Sequence, residues 1–139
     1  KKVDSLFKTC THISIHCNLS DETHHLVNSD RMKMMPGKKG GIVCGNHIVN
    51  CARGGIVDED ALLAALEDGT ISSAALDVFE VEPLPENYPL LQHENFHGTP
   101  HIGAATMEAQ QRVGIEIADA IITGLAGEQP STIVNRQYL

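Results

Sequence analysis

Basic residues are scarce in this chain of 139 residues: ten Lys and Arg stand against eighteen Asp and Glu, a net charge of -8. Phosphate backbones need a basic patch, and none is visible, so a nucleic-acid partner is not expected. A small anionic substrate stays open, because a single well-placed Arg can hold one. No apolar run approaches the length of a membrane span, and the opening Lys1-Lys2-Val3-Asp4 does not read as a signal peptide, so no membrane partner is expected. Cysteine pairs of the C-x-x-C kind are missing too. Cys10, Cys17, Cys44 and Cys51 therefore read as reduced, mostly buried thiols, which places the chain in the cytoplasm or an organelle matrix. The glycine-rich turn G-x-G-x-x-G, which seats a pyrophosphate on a helix N-terminus, is also absent. Gly37 to Gly45 and Gly54-Gly55 do not open a helix after a strand at the required spacing.

What is present is an ordinary globular composition, 42% hydrophobic and 20% charged, with alternating strand-like and helix-like stretches. That alternation is the pattern of a parallel α/β sheet. Strands are predicted at His12–Cys17, Ile48–Cys51, Ser73–Val78 and Phe96–Thr99. Ser20, with Asp21 and Glu22 behind it, is predicted to cap a helix, and a second short helix runs from Ser29 to Met35, ended by Pro36-Gly37. Met32, Met34 and Met35 read as packing residues. Asp58 caps an amphipathic helix with Leu62, Leu63 and Leu66 on one side and Gly69 as its stop. Thr106 opens the longest helix, in which Val113, Ile117, Ile121 and Leu125 recur four apart. Both of these helices are expected to pack on the sheet, the longer one crossing toward another domain.

Binding crevices of such sheets form at the loops after the strand C-termini. Arg53 follows one predicted strand, Asp77, Glu80 and Glu82 follow another, and His101 follows the last. Arginine, carboxylate and imidazole converging from three strand ends form an acid–base constellation, which points to an enzyme. His12 and His16 lie four apart but in a strand, so a metal pair is not expected. His24, His25, His47, His93 and His97 read as satisfied loop residues, and Glu80 as a solvated acid.

Three collinear stretches, "VNCARGGIVDEDALLAAL" (Val49 to Leu66), "AALDVFEVEPL" (Ala74 to Leu84) and "TPHIGAATMEAQ" (Thr99 to Gln110), resemble the D-2-hydroxyacid dehydrogenases that use a nicotinamide cofactor. "HCNLSDET" (His16 to Thr23) matches the family's earlier strand and loop more loosely. The phosphoglycerate branch is nearest. The resemblance implies a parallel-sheet, Rossmann-like nucleotide-binding domain, of which this chain is the second half. Residues 1–127 would form that half and residues 128–139 a linker returning toward a substrate or regulatory domain. The pyrophosphate turn and the acid that grips the adenosine ribose would precede Lys1, so the chain by itself is expected to be inactive.

The resemblance also implies roles. Arg53 would hold the substrate carboxylate in its fork and polarise the C2 oxygen. His101 would be the general acid–base. Glu82 would orient the His101 ring and favour its protonated form, since a nearby anion stabilises imidazolium. Contacts to NAD would come from Cys17, Cys51, Ala52, Arg53, Asp77, His101, Ile102, Gly103 and Ala104, with Asp77 on the nicotinamide carboxamide. The implied reaction is hydride transfer between NAD(H) and a D-2-hydroxy or 2-keto acid, 3-phosphoglycerate in serine biosynthesis being the favoured one. A homo-oligomer, dimer or tetramer, is implied for the full-length protein, and no metal.

Other readings stand beside it: a glyoxylate or hydroxypyruvate reductase, or an NAD(H)-sensing co-repressor-like protein of the same family. Formate dehydrogenase is disfavoured by Glu82. The chain departs from the family pattern at Asn18, where proline is usual, and at Lys38 to Asn46. That second stretch is either a longer loop or a duplication adding a β-ribbon, since Gly40 to Val43 echoes Gly54 to Val57.

Overall fold

The computed structural model describes residues 2–136. His12-Ile13-Ser14-Ile15 and His47-Ile48-Val49-Asn50 are rich in β-branched residues, which suit a pleated surface buried on its faces. They become the adjacent strands β1 (His12–Ile15) and β4 (His47–Asn50). Between them lie a ribbon of β2 (Lys38–Lys39) and β3 (Ile42–Val43), and beyond them β5 (Ser73–Leu76) and β6 (Phe96–Gly98). The main sheet runs β1-β4-β5-β6, and every pairing in it is parallel. Registers run from His12 opposite His47 to Ile15 opposite Asn50, and from His47 opposite Ser73 to Asn50 opposite Leu76. All four strands therefore finish at one edge of the sheet. The fold is the parallel-sheet, Rossmann-like arrangement expected from the sequence, with each strand ending one or two residues earlier than predicted.

Among the described residues this body holds the α-helices α1 (Lys2–Thr9), α2 (Ser29–Met34) and α3 (Glu59–Glu67), and a 3-10 turn at Pro89–Gln92. The side chain of Asn28 caps α2 by accepting from Arg31 N, and that of Asp58 caps α3 by accepting from Ala61 N. α1 was not foreseen. Its Phe7 enters the core, and its Asp4 pairs with Arg31 Nε of α2 at 3.0 Å. Val27, Met32, Ile48, Ile56, Leu62 and Leu76 form the centre of the core. Met32 and Met35 are buried, as packing residues should be.

The helix predicted after Ser20 is a single turn. Ser20 O accepts from Thr23 N and His24 N, but His25 takes a left-handed φ of 48° and gives its N–H to Gly55 O. Val27 then bridges to Val57, so a tertiary pairing draws the chain out before a second turn can form. The Lys38–Asn46 ambiguity resolves as an antiparallel ribbon. Gly40 and Gly41 at its tip have φ of 56° and 83°, the pair of positive values that a tight two-residue hairpin demands.

The chain divides into two compact units, Lys1–His101 and Ile102–Leu139. The second holds α4 (Met107–Leu125), capped by Thr106, whose side chain accepts from Ala109 N. No residue of α4 is buried, its stripe of Val113, Ile117, Ile121 and Leu125 included. The cysteines also differ from expectation: all four are free, but Cys51 is exposed and the other three only partly buried.

Ile48 is 0% exposed on the central strand β4, whereas Ile42 on the ribbon is 71% exposed. Ile48→Ala should cost about 2–5 kcal/mol of unfolding free energy through lost contacts and a residual cavity. Ile42→Ala should stay within roughly 0.5 kcal/mol, as surface changes do. Urea unfolding of the two variants checks the placement.

Candidate active site

Four loops leave the carboxyl edge of the sheet, and each carries predicted site residues. After β4, the buried side chain of Asn50 shapes the turn: Oδ1 accepts from Ala52 N at 3.0 Å and Nδ2 donates to Arg53 O at 2.9 Å. Asp77 N, after β5, donates to Asn50 O at 2.9 Å, locking the two loops together. Gly54 packs directly on the β5 loop. A Cβ there would lie 1.8 Å from the carbonyl oxygen of Phe79, so only glycine permits this approach.

The residues 79–82 form a turn organised by carboxylates. Glu82 Oε1 accepts from Phe79 N at 2.9 Å, and Glu82 Oε2 is 2.8 Å from His101 Nδ1. The hydrogen bond from His101, and then that from the Phe79 amide, hold the Glu82 carboxyl below the usual carboxylate range. His101 has φ of 54°, a left-handed conformation uncommon for a non-glycine residue. Its N–H donates to Thr99 O at 3.0 Å.

A cavity of about 390 Å³ is lined by Leu19, His24, Arg53, Glu80, Glu82 and His101, among others. A neighbouring one of about 330 Å³ is lined by His16, Cys17, Asn18, Cys51, Ala52 and Arg53. Arg53 faces both, and its Nη1 donates to the carbonyl of Ala52 at 2.6 Å. The structure thus gathers Arg53, Glu82 and His101 at one cavity and Cys17, Cys51, Ala52 and Arg53 at the other. Asp77 lines neither: it is 5% exposed, and its Oδ1 accepts from Thr99 Oγ1 at 2.5 Å. Ile102, Gly103 and Ala104 open the second unit, where all three are exposed.

Three features escaped the sequence reading. Glu80 is not simply solvated, for its Oε1 meets His25 Nε2 at 2.9 Å. His24 lines the Arg53 cavity and stacks on His25 with ring centroids 4.0 Å apart. Glu59, in the first turn of α3, is a buried carboxylate that accepts from Glu80 N at 2.7 Å and from the hydroxyl of Tyr88. Burial raises its pKa above the ordinary 4.5, the Tyr88 and Glu80 hydrogen bonds opposing. Its first-turn place beside an Asp58 cap was legible, but the distant partners Glu80 and Tyr88 were not. Among the described residues no group of His, Cys, Asp or Glu is arranged to hold a metal ion, and no helix is long and apolar enough to cross a membrane.

A parallel sheet with an Arg loop, a carboxylate turn and an imidazole at its carboxyl edge fits part of the nucleotide-binding domain of a 2-hydroxyacid dehydrogenase. Residues 1–103 match the model of the D-isomer specific 2-hydroxyacid dehydrogenase NAD binding domain, and the chain belongs to that family. It is 44% identical over 137 residues to a glyoxylate reductase of Thermofilum pendens, covering 99% of this chain and 38% of that protein. It is 48% identical over 127 residues to D-3-phosphoglycerate dehydrogenase 3, chloroplastic, of Arabidopsis thaliana, covering 91% of this chain and 20% of the relative. A D-isomer specific 2-hydroxyacid dehydrogenase from Xanthobacter autotrophicus Py2, solved with NADPH and MES, superposes with a TM-score of 0.75 at 34% identity. That match covers 98% of this chain and 52% of the other. The chain spans well under half the length of the two sequence relatives.

Two outcomes follow from the geometry. Gly54→Ala forces its Cβ into the Phe79 carbonyl and should cost about 2 kcal/mol or more, as overpacking against backbone does. Chemical denaturation measures it. The second concerns pH. Because burial raises the folded-state pKa of Glu59, the folded chain holds that proton more tightly than the unfolded one. This contribution is complete below the ordinary carboxylate pKa and fades as pH rises through the raised value. Glu59→Gln should therefore lose that fading, and melting curves from pH 4 to 7 for the two proteins should converge toward the acid end.

Proposed function

We propose that the full-length protein transfers hydride between NAD(H) and a D-2-hydroxy acid or its 2-keto counterpart. The observation that carries the reading is the single cavity lined by Arg53, Glu82 and His101. Residues 1–127 are read as the second half of the nucleotide-binding domain and 128–139 as a linker. The cavity that Arg53 shares with Cys17, Cys51 and Ala52 supports the fit of the cofactor: beside the guanidinium these small side chains leave room for a nicotinamide ribose. When bound, the nicotinamide supplies the hydride acceptor or donor for substrate C2.

The chain's own residues do the rest. The guanidinium of Arg53 grips the substrate carboxylate through its planar fork and draws charge toward the C2 oxygen. His101, held through Nδ1 by Glu82, exchanges a proton with that oxygen through Nε2: it takes the hydroxyl proton on oxidation and returns it on reduction. Glu82 keeps the ring in one tautomer and stabilises the imidazolium that oxidation creates. Asp77, whose Oδ1 accepts from Thr99 Oγ1, is read as the residue that meets the carboxamide of the cofactor. The free thiols fit a reducing compartment, the cytoplasm in this reading.

Among substrates 3-phosphoglycerate is favoured, which would set the protein in serine biosynthesis. The identity to the Arabidopsis phosphoglycerate dehydrogenase supports this. Glyoxylate is the second reading, favoured by the Thermofilum reductase that matches nearly the whole chain. The full-length protein is read as a homo-oligomer with no nucleic-acid or membrane partner.

Turnover of 3-phosphoglycerate, glyoxylate and hydroxypyruvate by the full-length protein separates these substrates. Arg53→Ala should lower kcat/KM for the preferred acid by roughly 10²–10³-fold, the scale of one lost charge-stabilising group. Unchanged turnover of every acid tested would remove Arg53 from the mechanism. Glu82→Gln should lower kcat for 2-keto-acid reduction without abolishing it, because the His101 ring loses the carboxylate that holds its Nδ1; steady-state kinetics of the variant checks this.

A further inference from the structure

Glu59 is an expensive residue to place where it is. A carboxylate 5% exposed gives up most of its hydration, and an apolar side chain of similar size would fill the same space at lower cost. Both its oxygens are nevertheless spoken for by groups outside its own helix. Oε1 accepts from the backbone N–H of Glu80 at 2.7 Å, and Oε2 from the Tyr88 hydroxyl. The Tyr88 ring in turn meets Phe79 edge-on, with centroids 6.1 Å apart and planes at 84°.

Those contacts fall on the turn that presents Glu82. Within that turn Glu82 Oε1 already accepts from Phe79 N, and Oε2 holds His101. The next amide, that of Glu80, is claimed by Glu59 from the rigid first turn of α3. Two successive amides are therefore gripped by two carboxylates, one inside the turn and one anchored in a helix. The charged groups around Glu59 are Asp58 and Asp60 on α3 and Glu80 on the turn. His25 reaches Glu80 at 2.9 Å and Asp58 at 3.8 Å. None of these is a cation bonded to Glu59, which suits a carboxylate used for its geometry as a two-sided acceptor rather than for an ion pair.

We propose that Glu59 is a positioning residue for the acid–base pair: by holding the Glu80 amide and the Tyr88 hydroxyl, it fixes the 79–82 turn so that Glu82 stays aimed at His101. The proposal rests on the reading of Glu82 and His101 given above. It predicts that Glu59 acts through Glu82 and not through bulk stability.

The test compares Glu59→Leu, Glu59→Gln, Tyr88→Phe and Glu82→Gln in the full-length protein. The readouts are kcat and KM across pH with the preferred 2-keto acid, and His101 ring NMR signals across pH without substrate. Glu59→Leu loses both bonds and should lower kcat roughly tenfold to a hundredfold with KM little changed, the scale of a small misplacement of a reacting group. It should shift the His101 titration in the direction that Glu82→Gln shifts it, and add little on top of Glu82→Gln, because both act through one pair. Glu59→Gln keeps an oxygen for the Glu80 amide and should retain most of the rate. A lower melting temperature in Glu59→Leu with an unmoved pH profile and unmoved His101 signals would overturn the proposal, leaving Glu59 a structural residue. Should Glu59→Leu fail to fold, Tyr88→Phe combined with Glu59→Gln decides the matter by the same signals. A Glu82→Gln protein that itself shows no shift overturns the underlying reading of the pair, an outcome distinct from failure at Glu59 alone.

Discussion

The carbonyl oxygen of Phe79 occupies the space where a side chain at position 54 would be. That contact joins the loop after β4 to the loop after β5 with nothing between them, and the site depends on it. Arg53 sits one residue to one side of the contact and Glu82 three residues to the other. Pushing the loops apart by the width of a methyl group would move the guanidinium away from the Glu82–His101 pair. The Asn50 carbonyl, accepting from Asp77 N, ties the same two loops, and the Asn50 side chain, holding Ala52 and Arg53, fixes the first of them. Close packing here serves precision first, since interiors transmit displacement instead of absorbing it.

Electrostatics explain why so many acids can share this edge. Glu82 is stabilised as an anion by an imidazole and an amide, and its carboxyl stays below the usual range. Glu59, some residues away on α3, is pushed the other way by burial. Two carboxylates in one region thus differ in environment and in duty: one holds the His101 ring, the other serves as a hydrogen-bond acceptor for backbone and tyrosine. His25 reaches Glu80 at 2.9 Å and Asp58 at 3.8 Å, so the acids on the turn and on α3 share one imidazole neighbour.

The two cavities meeting at Arg53 give the edge its division of labour. On one side stand ionisable groups suited to a carboxylate and a moving proton. On the other stand His16, Asn18, Ala52 and two thiols beside the same guanidinium. The family match covers residues 1–103, so it includes the whole of both linings. The stripe on α4 lies beyond it, in the second unit.

Periodicity and caps made most of the fold legible in the residues themselves. Asp58 before a Leu-rich stretch, Thr106 before an Ile-rich one, and β-branched runs at Ile48 and Ile13 are local signals, because helices and strands begin and end on interactions among near neighbours. Arg53, Glu82 and His101 could likewise be picked out, since each follows a strand and such loops meet at one edge of a parallel sheet. What local signals could not carry was anything closed by distant contacts. The turn at Ser20 stops because Val27 pairs with Val57, the role of Glu80 depends on His25 fifty-five positions away, and the demand for glycine at 54 comes from a carbonyl twenty-five residues later. Sequence by itself determined which chemistry this edge of the sheet offers, because side-chain type and strand position are written along the chain. Only the tertiary structure decided which groups touch, and so that Glu59 reaches the turn beneath Glu82, because hydrogen bonds between distant segments exist only once the sheet has brought their backbones together.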